Sequence, residues 1–426
     1  MTSPIVIPRP EHNVSRDNID DYALKVLYRL HKAGFRAMLV GGGVRDLLLG
    51  HVPKDFDIAT DAHPEQVRKL FSNSRLIGRR FRLAHVFFGR EIIEVATFRA
   101  SMEEADDDVE NDREHSEGGR ILRDNVYGQI EDDVWRRDFT INALYYDISD
   151  FTIIDYTSGM DDIKNRELRL IGDPDVRYRE DPVRMLRAIR FASKLDFTIH
   201  ADSVQPIYKL GHLLGDIPPA RLFEEVLKLF HSGRAIVCLQ MLRKYDLLQY
   251  LFKQTDERLK QGDEAFEAFI HLSLQSTDNR INQDKPVTPA FLFAAMLWQP
   301  VRALSDELIQ VGEPASIAMQ NASSMVLSKQ IQTISIPKRF SMVARDIWHM
   351  QDRFKYRHGR RAQSLLMHKK FRAGYDFMCI RSQSGEVIDD SCDWWTRIQT
   401  LDPKAQEKLL KPAKAKASSR SKPKKK

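Results

Sequence analysis

At 426 residues the chain is longer than a single hydrophobic core supports, so about two to four compact units are expected. Its 42% hydrophobic and 30% charged residues are ordinary for a water-soluble chain, and no apolar run approaches the ~20 residues that cross a bilayer, which excludes an integral helical membrane protein. The formal net charge of +6 resides in the stretch 411–426, where eight Lys or Arg stand without an acid, so residues 1–410 carry −2.

The first twenty residues lack a charged start followed by an apolar core and a small-residue cleavage site, so the protein is expected in the cytoplasm. Residues 19–34 place Ala23, Val26, Leu27 and Leu30 at helical spacing and end at Gly34, predicting an amphipathic helix. A strand is expected over Phe35–Val40, then a Gly-rich turn and a helix with Val44, Leu47 and Leu48 inward. A strand at Asp55–Ile58 and a helix from Pro64 to Phe71 complete a βαβα opening. Residues 81–98 read as a hairpin turning at Gly89 and Arg90. The segment 103–117, with nine acids and one Arg, repels itself; a mobile loop is expected there, with metal binding the alternative. From Pro174 to Trp395 amphipathic helical stretches dominate, broken at 217–220 and 232–234. The stretch 411–426 has no apolar period and is expected to stay disordered, either as a solubilising end or as a contact for a polyanion such as nucleic acid. Cys238, Cys379 and Cys392 are odd in number and widely spaced, which predicts reduced buried thiols rather than a disulfide framework or a zinc clip.

Three constellations carry chemistry. In LVGGGVRDLLLG (39–50) and KDFDIAT (54–60), glycines between a strand and a helix let the backbone approach a bulky anion such as a triphosphate. Neither a P-loop nor a dinucleotide fingerprint fits, since GK[ST] is missing and Asp46 takes the last glycine position. Asp55 and Asp57, two apart on a strand, are expected to face the same way and hold divalent cations. Glu94, alternating with Ile93 and Val95, could supply a third carboxylate or simply face solvent. In WRRDFTINALYYD (135–147), Arg136 and Arg137 offer forks for phosphate and Asp138 an acceptor for a ribose hydroxyl, with Asn142 one helical turn on. The alternative is a surface helix capped by Asp138. In YREDPVRMLRAIRF (178–191), Pro182 suits a first helical position and Arg184 and Arg187 share a face, with Glu180 and Asp181 at its mouth. These groups can read a base edge, or form only a stabilising Glu–Arg pair.

Together the three stretches resemble the class II nucleotidyltransferase superfamily of bacterial poly(A) polymerases and tRNA CCA-adding enzymes. The likeness implies that Gly42, Gly43, Arg45, Asp46, Asp55 and Asp57 bind nucleotide and metal, that Arg137, Asp138 and Asn142 select the ribose, and that Glu180, Asp181, Arg184 and Arg187 act as an amino-acid template for the base. The stretch LIGRRFRLAHVFF (76–88) is similar to the poly(A) polymerase branch, as are DIPPARLFEEVLKLF (216–230), VTPAFLFAAMLW (287–298) and IPKRF (336–340). The implied fold is α+β: a catalytic head with a small mixed sheet over 1–172, a helical neck over 173–232, a helical RNA-binding body over 233–400 and a basic tail over 401–426. The implied activity is template-independent addition of AMP from ATP to RNA 3′ ends, with Asp55, Asp57, Asp138 and Glu94 catalytic and Mg²⁺, or Mn²⁺ in its place, on Asp55 and Asp57. Messenger RNA and other transcripts are the implied substrates, and RNA-decay machinery the implied partner. The rivals are a tRNA CCA-adding enzyme and an inactive RNA-binding platform.

Overall fold

The computed structural model describes residues 3–78, 82–100, 113–115, 121–124, 126–386 and 390–411. The expected disorder of the tail beyond Lys411 therefore lies outside the described residues, as do Arg79, Arg80, Phe81 and most of the acidic segment. Contacts divide the chain into two compact units. One runs to Ile217 and includes Lys244–Leu247; the other consists of Pro218–Arg243 and the chain from Leu248 onward.

The first unit is α+β. Strand β1 (Ile5–Ile7) leads to helix α1 (Asp21–Lys32), whose first amides, on Tyr22 and Ala23, are capped by the Asp20 carboxylate. Helix α1 buries Ala23, Val26, Leu27 and Leu30 as its periodicity predicts, and Gly34 ends the turn at φ +87°. Then come β2 (Ala37–Val40), α2 (Gly42–Leu48), β3 (Asp57–Thr60), α3 (Pro64–Leu70), β4 (Ser74–Ile77), β5 (Leu83–Phe88) and β6 (Glu91–Thr97). The β5–β6 hairpin turns at Gly89, φ +66°, as expected. Strands β7 (Arg113–His115) and β8 (Ile121–Asp124) pair with each other, so part of the segment expected as a loop is a strand. Helix α4 (Ile130–Arg136), β9 (Leu144–Asp147), β10 (Ile153–Asp155), α5 (Gly159–Asn165), α6 (Pro174–Glu180) and α7 (Val183–Leu195) follow.

Eight strands form one sheet in the order β1-β10-β9-β2-β3-β6-β5-β4. Every neighbouring pair is antiparallel except β3 and β6. Strand alternation sends Leu39, Ile58 and Val95 into a core with α1 and α2, while Met38, Val40 and Ala59 pack against Ile130 and Val134 of α4 on the opposite face. Asp57, two residues before Ala59, shares the α4 face.

The boundary at Ile217 cuts through the expected 173–232 neck. Phe191 of α7 packs edge-on to Phe139 at 5.7 Å, and Asp138 is ion-paired to Arg187, which makes α6 and α7 part of the first unit. The second unit is helical among its described residues, with Trp348, Trp395, Phe252, Phe269 and Phe293 fully buried. Within it Cys379 and Cys392 form a disulfide, which corrects the expectation of reduced thiols. Wide sequence spacing did not keep the two apart, because the helices Phe371–Gln383 and Ser391–Thr400 pack together and bring their Cα atoms to 5.1 Å. Cys238 is buried and outside the disulfide, a thiol as expected.

Candidate active site

The glycine turn sets the floor of a cleft of about 510 Å³. Gly41 precedes α2 at φ +73°, a region that side chains avoid, and a Cβ there would lie 3.7 Å from an Asp57 carboxylate oxygen and 3.8 Å from a guanidinium nitrogen of Arg137. Gly43 packs as closely, its missing Cβ 3.4 Å from the Asp55 carbonyl. Gly41 is glycine because of its positive φ, while the Cβ distances at both positions are those of ordinary contact.

Asp55 and Asp57 both line the cleft, but only Asp57 lies on β3; Asp55 is exposed in the loop before it. Strand alternation therefore does not fix Asp55, contrary to expectation. Glu94 stands directly opposite Asp57 in the parallel β3–β6 register, as its alternation predicts. It is half exposed, 3.1 Å from His85 Nε2, and outside the cleft lining. Among the described residues no three His, Cys, Asp or Glu converge on a metal position. Glu94 acts on Asp57 through space. Burial, then Glu94 and, more weakly, Asp55 push the Asp57 carboxyl up to about 6, against the pull of Arg137. This concentration of negative charge, built only of oxygen donors, suits a hard divalent cation that retains water and phosphate ligands.

The second constellation is not a helix through Asp138. Helix α4 ends at Arg136, Asp138 and Phe139 are extended, and a 3-10 turn covers Thr140–Asn142. Arg136 donates to the Ala100 carbonyl at 2.6 Å. Arg137 donates to Asp133 and to the Tyr145 hydroxyl, at 2.9 and 2.8 Å. Burial opposes the Arg137 charge, but Tyr145 and Asp133 more than restore it and raise its pKa. Asp138 accepts from Arg187 Nε at 2.7 Å, from the Phe139 amide at 2.9 Å and from Asn142 Nδ2 at 3.2 Å. Although burial pushes it up, Arg187 and these donors hold its carboxyl down to about 2.

Arg45 and Asp46 also line the cleft, yet their polar atoms are largely engaged with each other. The Arg45 fork donates to Asp46 and, at 2.7 Å, to Asn142 Oδ1. Both residues are buried, and through Asn142 they position the Asn142–Asp138 segment. Glu180 likewise accepts from Arg177 at 2.7 Å and Arg184 at 2.8 Å and is absent from the lining. Glu180 holds Arg184, whose guanidinium also donates to the Arg177 carbonyl at 2.7 Å.

Asp181, Arg184 and Arg187 do reach the cleft. Beside them are residues that motif reasoning did not single out: Lys54, Arg99, Arg190, Phe191 and Lys194. Helical spacing on α7 was a usable signal, because 184, 187, 191 and 194 lie on one face. Phe191 is the hub of that face, with the guanidinium carbons of Arg190, Arg187 and Arg45 at 4.4, 5.2 and 5.3 Å from its ring centre. In all, nine cationic and five acidic side chains line the cleft, an excess that suits a triphosphate. A larger cleft of about 950 Å³ shares only Lys54 and Asp55 with it.

Comparison with known proteins matches three family descriptions to this chain. "Poly A polymerase head domain" covers residues 37–169, "Probable RNA and SrmB- binding site of polymerase A" covers 196–259, and "Polymerase A arginine-rich C-terminus" covers 311–426. Poly(A) polymerase I of Salmonella typhi is 50% identical over 409 residues, 95% of this chain and 88% of that protein. Poly(A) polymerase I of Haemophilus influenzae is 45% identical over 95% of this chain and 90% of its own. Among solved structures, the Bacillus stearothermophilus CCA-adding enzyme in complex with CTP aligns at a TM-score of 0.55 with 25% identity, covering 91% of this chain and 80% of that one.

Proposed function

The chain belongs to the bacterial poly(A) polymerase I family, a family of nucleotidyltransferases, and we propose that the cleft on α7 and β3 is where AMP from ATP is joined to an RNA 3′ end. The observation that carries this reading is the meeting of two opposite surfaces in one cleft. A pair of carboxylates, Asp55 and Asp57, faces the cationic side of α7, and the Asp138–Arg187 ion pair ties the segment between α4 and β9 to that helix.

The cleft cations Lys54, Arg190 and Lys194 attract and hold the triphosphate. Arg137, fixed by Asp133 and Tyr145, sits above Gly41 where the phosphates approach the backbone. The Asn142–Asp138 segment, held by Arg45, borders the ribose, and Arg184 and Asp181 border the base, donating and accepting along its edge. The 3′ oxygen of the RNA attacks the α-phosphorus; a new P–O bond forms, the bond to the β-phosphate oxygen breaks, pyrophosphate leaves and the hydroxyl proton passes to water. Mg²⁺, or Mn²⁺, on Asp55 and Asp57 supplies charge stabilisation of the attacking and leaving oxygens. The substrates we propose are messenger RNA and other transcripts in the cytoplasm, polyadenylated for processing and decay in concert with the decay machinery.

The test is extension of a generic single-stranded RNA by the purified protein, with each nucleoside triphosphate supplied separately together with Mg²⁺. Long homopolymeric tails with ATP alone support the reading. Arrest after three additions that require CTP as well as ATP would replace it with CCA addition, and no addition with any nucleotide would leave an RNA-binding platform.

A further inference from the structure

We propose that a basic hollow in the second unit is a docking site for single-stranded RNA, with one base stacked on Tyr356 and the adjoining phosphates on Arg353, Arg360 and Arg361. The inference rests on the reading that RNA is the substrate, and it concerns a place outside the stretch 196–259 that matches the RNA-binding family description.

Residues 353–372 contain eight Lys or Arg and no acid. Folding concentrates part of this charge. The 3-10 turn Asp352–Lys355 and the helix Gly359–Leu366 place Arg353, Tyr356, Arg360, Arg361 and Ser364 around a hollow of about 370 Å³. Tyr356 is 41% exposed, with the Arg361 guanidinium 4.9 Å and the Lys355 ammonium 5.5 Å from its ring centre. Neighbouring cations are neutralised, Arg357 by Asp390 at 2.6 Å and Arg372 by Asp376 at 2.9 Å. Among the described residues no carboxylate pairs with Arg353, Lys355, Arg360 or Arg361. Positive charge is therefore left unspent around an accessible aromatic face.

The hollow is also rigidly mounted. Phe354, two residues before Tyr356, is buried, packs edge-on to Trp395 at 5.5 Å, and receives at its carbonyl a 2.9 Å hydrogen bond from the Trp395 indole. The Tyr356 amide donates to the Arg353 carbonyl at 3.0 Å. A platform held in this way loses little freedom when a ligand docks. Phosphates alone would satisfy the arginines and leave the ring idle; an acidic peptide would do the same. A single-stranded nucleic acid supplies both phosphate charge and a π-face at adjacent positions.

The measurement is fluorescence anisotropy on the full chain, without ATP or divalent metal, using a labelled oligoadenylate and an abasic oligomer of equal length. Tyr356→Ala is expected to weaken oligoadenylate binding about fivefold or more, the loss of one base–aromatic stack, while Tyr356→Phe retains wild-type affinity and Tyr356→Ala leaves the abasic oligomer unaffected. Arg360→Gln with Arg361→Gln is expected to weaken both oligomers and to flatten the dependence of log affinity on log salt by about 0.7 per lost phosphate contact. Unchanged oligoadenylate affinity in Tyr356→Ala, equal losses on both probes, or an unchanged salt slope in the double variant would overturn the site. Displacement of oligoadenylate by polyglutamate at equal charge would reassign the hollow to acidic peptides. Because ATP is absent, failure here leaves the extension assay standing as the separate test of the polymerase reading.

Discussion

Asp138 and Arg187 lie 49 residues apart in sequence, and the Arg187 Nε–H donates to the Asp138 carboxylate at 2.7 Å. The pair fastens the segment expected to border the ribose to the helix expected to border the base. It therefore couples the stability of the first unit to the geometry of its cleft.

Replacing Arg187 with Gln should expose this coupling through pH. Asp138 is held at about 2, below the ordinary 3.8, so its contribution is fully present above the ordinary carboxylate range and is lost as pH falls through about 2. Arg187→Gln is expected to lower stability by about 2 kcal/mol at neutral pH, and the difference from wild type should narrow at about pH 3. Urea unfolding at both pH values checks this; a gap of equal size at the two would mean that Arg187 acts only through packing.

Asp57 presents the reverse sign. Its carboxyl is pushed up to about 6, so in the metal-free protein its ionised form costs stability, a cost that appears as pH rises from the ordinary carboxylate range and is complete above about 6. Asp57→Asn is expected to raise metal-free stability by about 1–2 kcal/mol at neutral pH while abolishing AMP addition. Melting in EDTA beside single-turnover extension reads both effects. A variant that melts lower, or keeps more than a tenth of the wild-type rate (a barrier change under about 1.4 kcal/mol), would remove Asp57 from the metal site.

Arg184→Ala should relax nucleotide choice, because Arg184 is the α7 cation whose position Glu180 and the Arg177 carbonyl fix. The expected loss is about 1–3 kcal/mol of discrimination between ATP and CTP, measured as the ratio of kcat/KM values. Glu180→Gln should relax choice in the same direction but less, since it loosens Arg184 without removing it. Unchanged discrimination in Arg184→Ala would rule out its contact with the base.

Arg45→Lys should not behave conservatively. A lysine cannot reproduce the fork that contacts Asp46 and Asn142 together. The variant should lose about 1–3 kcal/mol of stability, and its effect should be strongly less than additive with Asn142→Ala, because both break one network. A double-mutant cycle on melting free energies checks this, and additive effects would separate the two residues.

The helices and strands of the first unit were legible because each follows a single local rule: the α1 periodicity, the β5–β6 alternation and the positive-φ glycines. The face shared by Asp57 and Glu94 was legible for the same reason. What could not be read was which charged groups are already spent. Arg45, Asp46, Glu180 and Asp138 look identical to free ligand-binding groups in a sequence; the Arg45–Asp46 and Glu180–Arg184 pairs are local, the latter within the alternatives the spacing allows, but the Asp138–Arg187 pair shows only when distant segments meet. Asp55 escaped because one residue of loop separates it from the alternation that fixes Asp57. The Cys379–Cys392 bond escaped because spacing along the chain says nothing about which helices pack together.

The sheet order has a consequence for how the protein is made. Among the described residues the earliest strand in the sequence, β1, pairs with β10 alone, which ends at Asp155, so at about 5–20 residues per second of synthesis it waits roughly 7 to 30 seconds for its partner. The strands bearing Asp57 and Glu94 can pair before then, and α7, with Arg184 and Arg187, emerges afterwards. A nascent chain thus exposes its acidic groups first, then completes the sheet, and last gains the helix that completes the cleft.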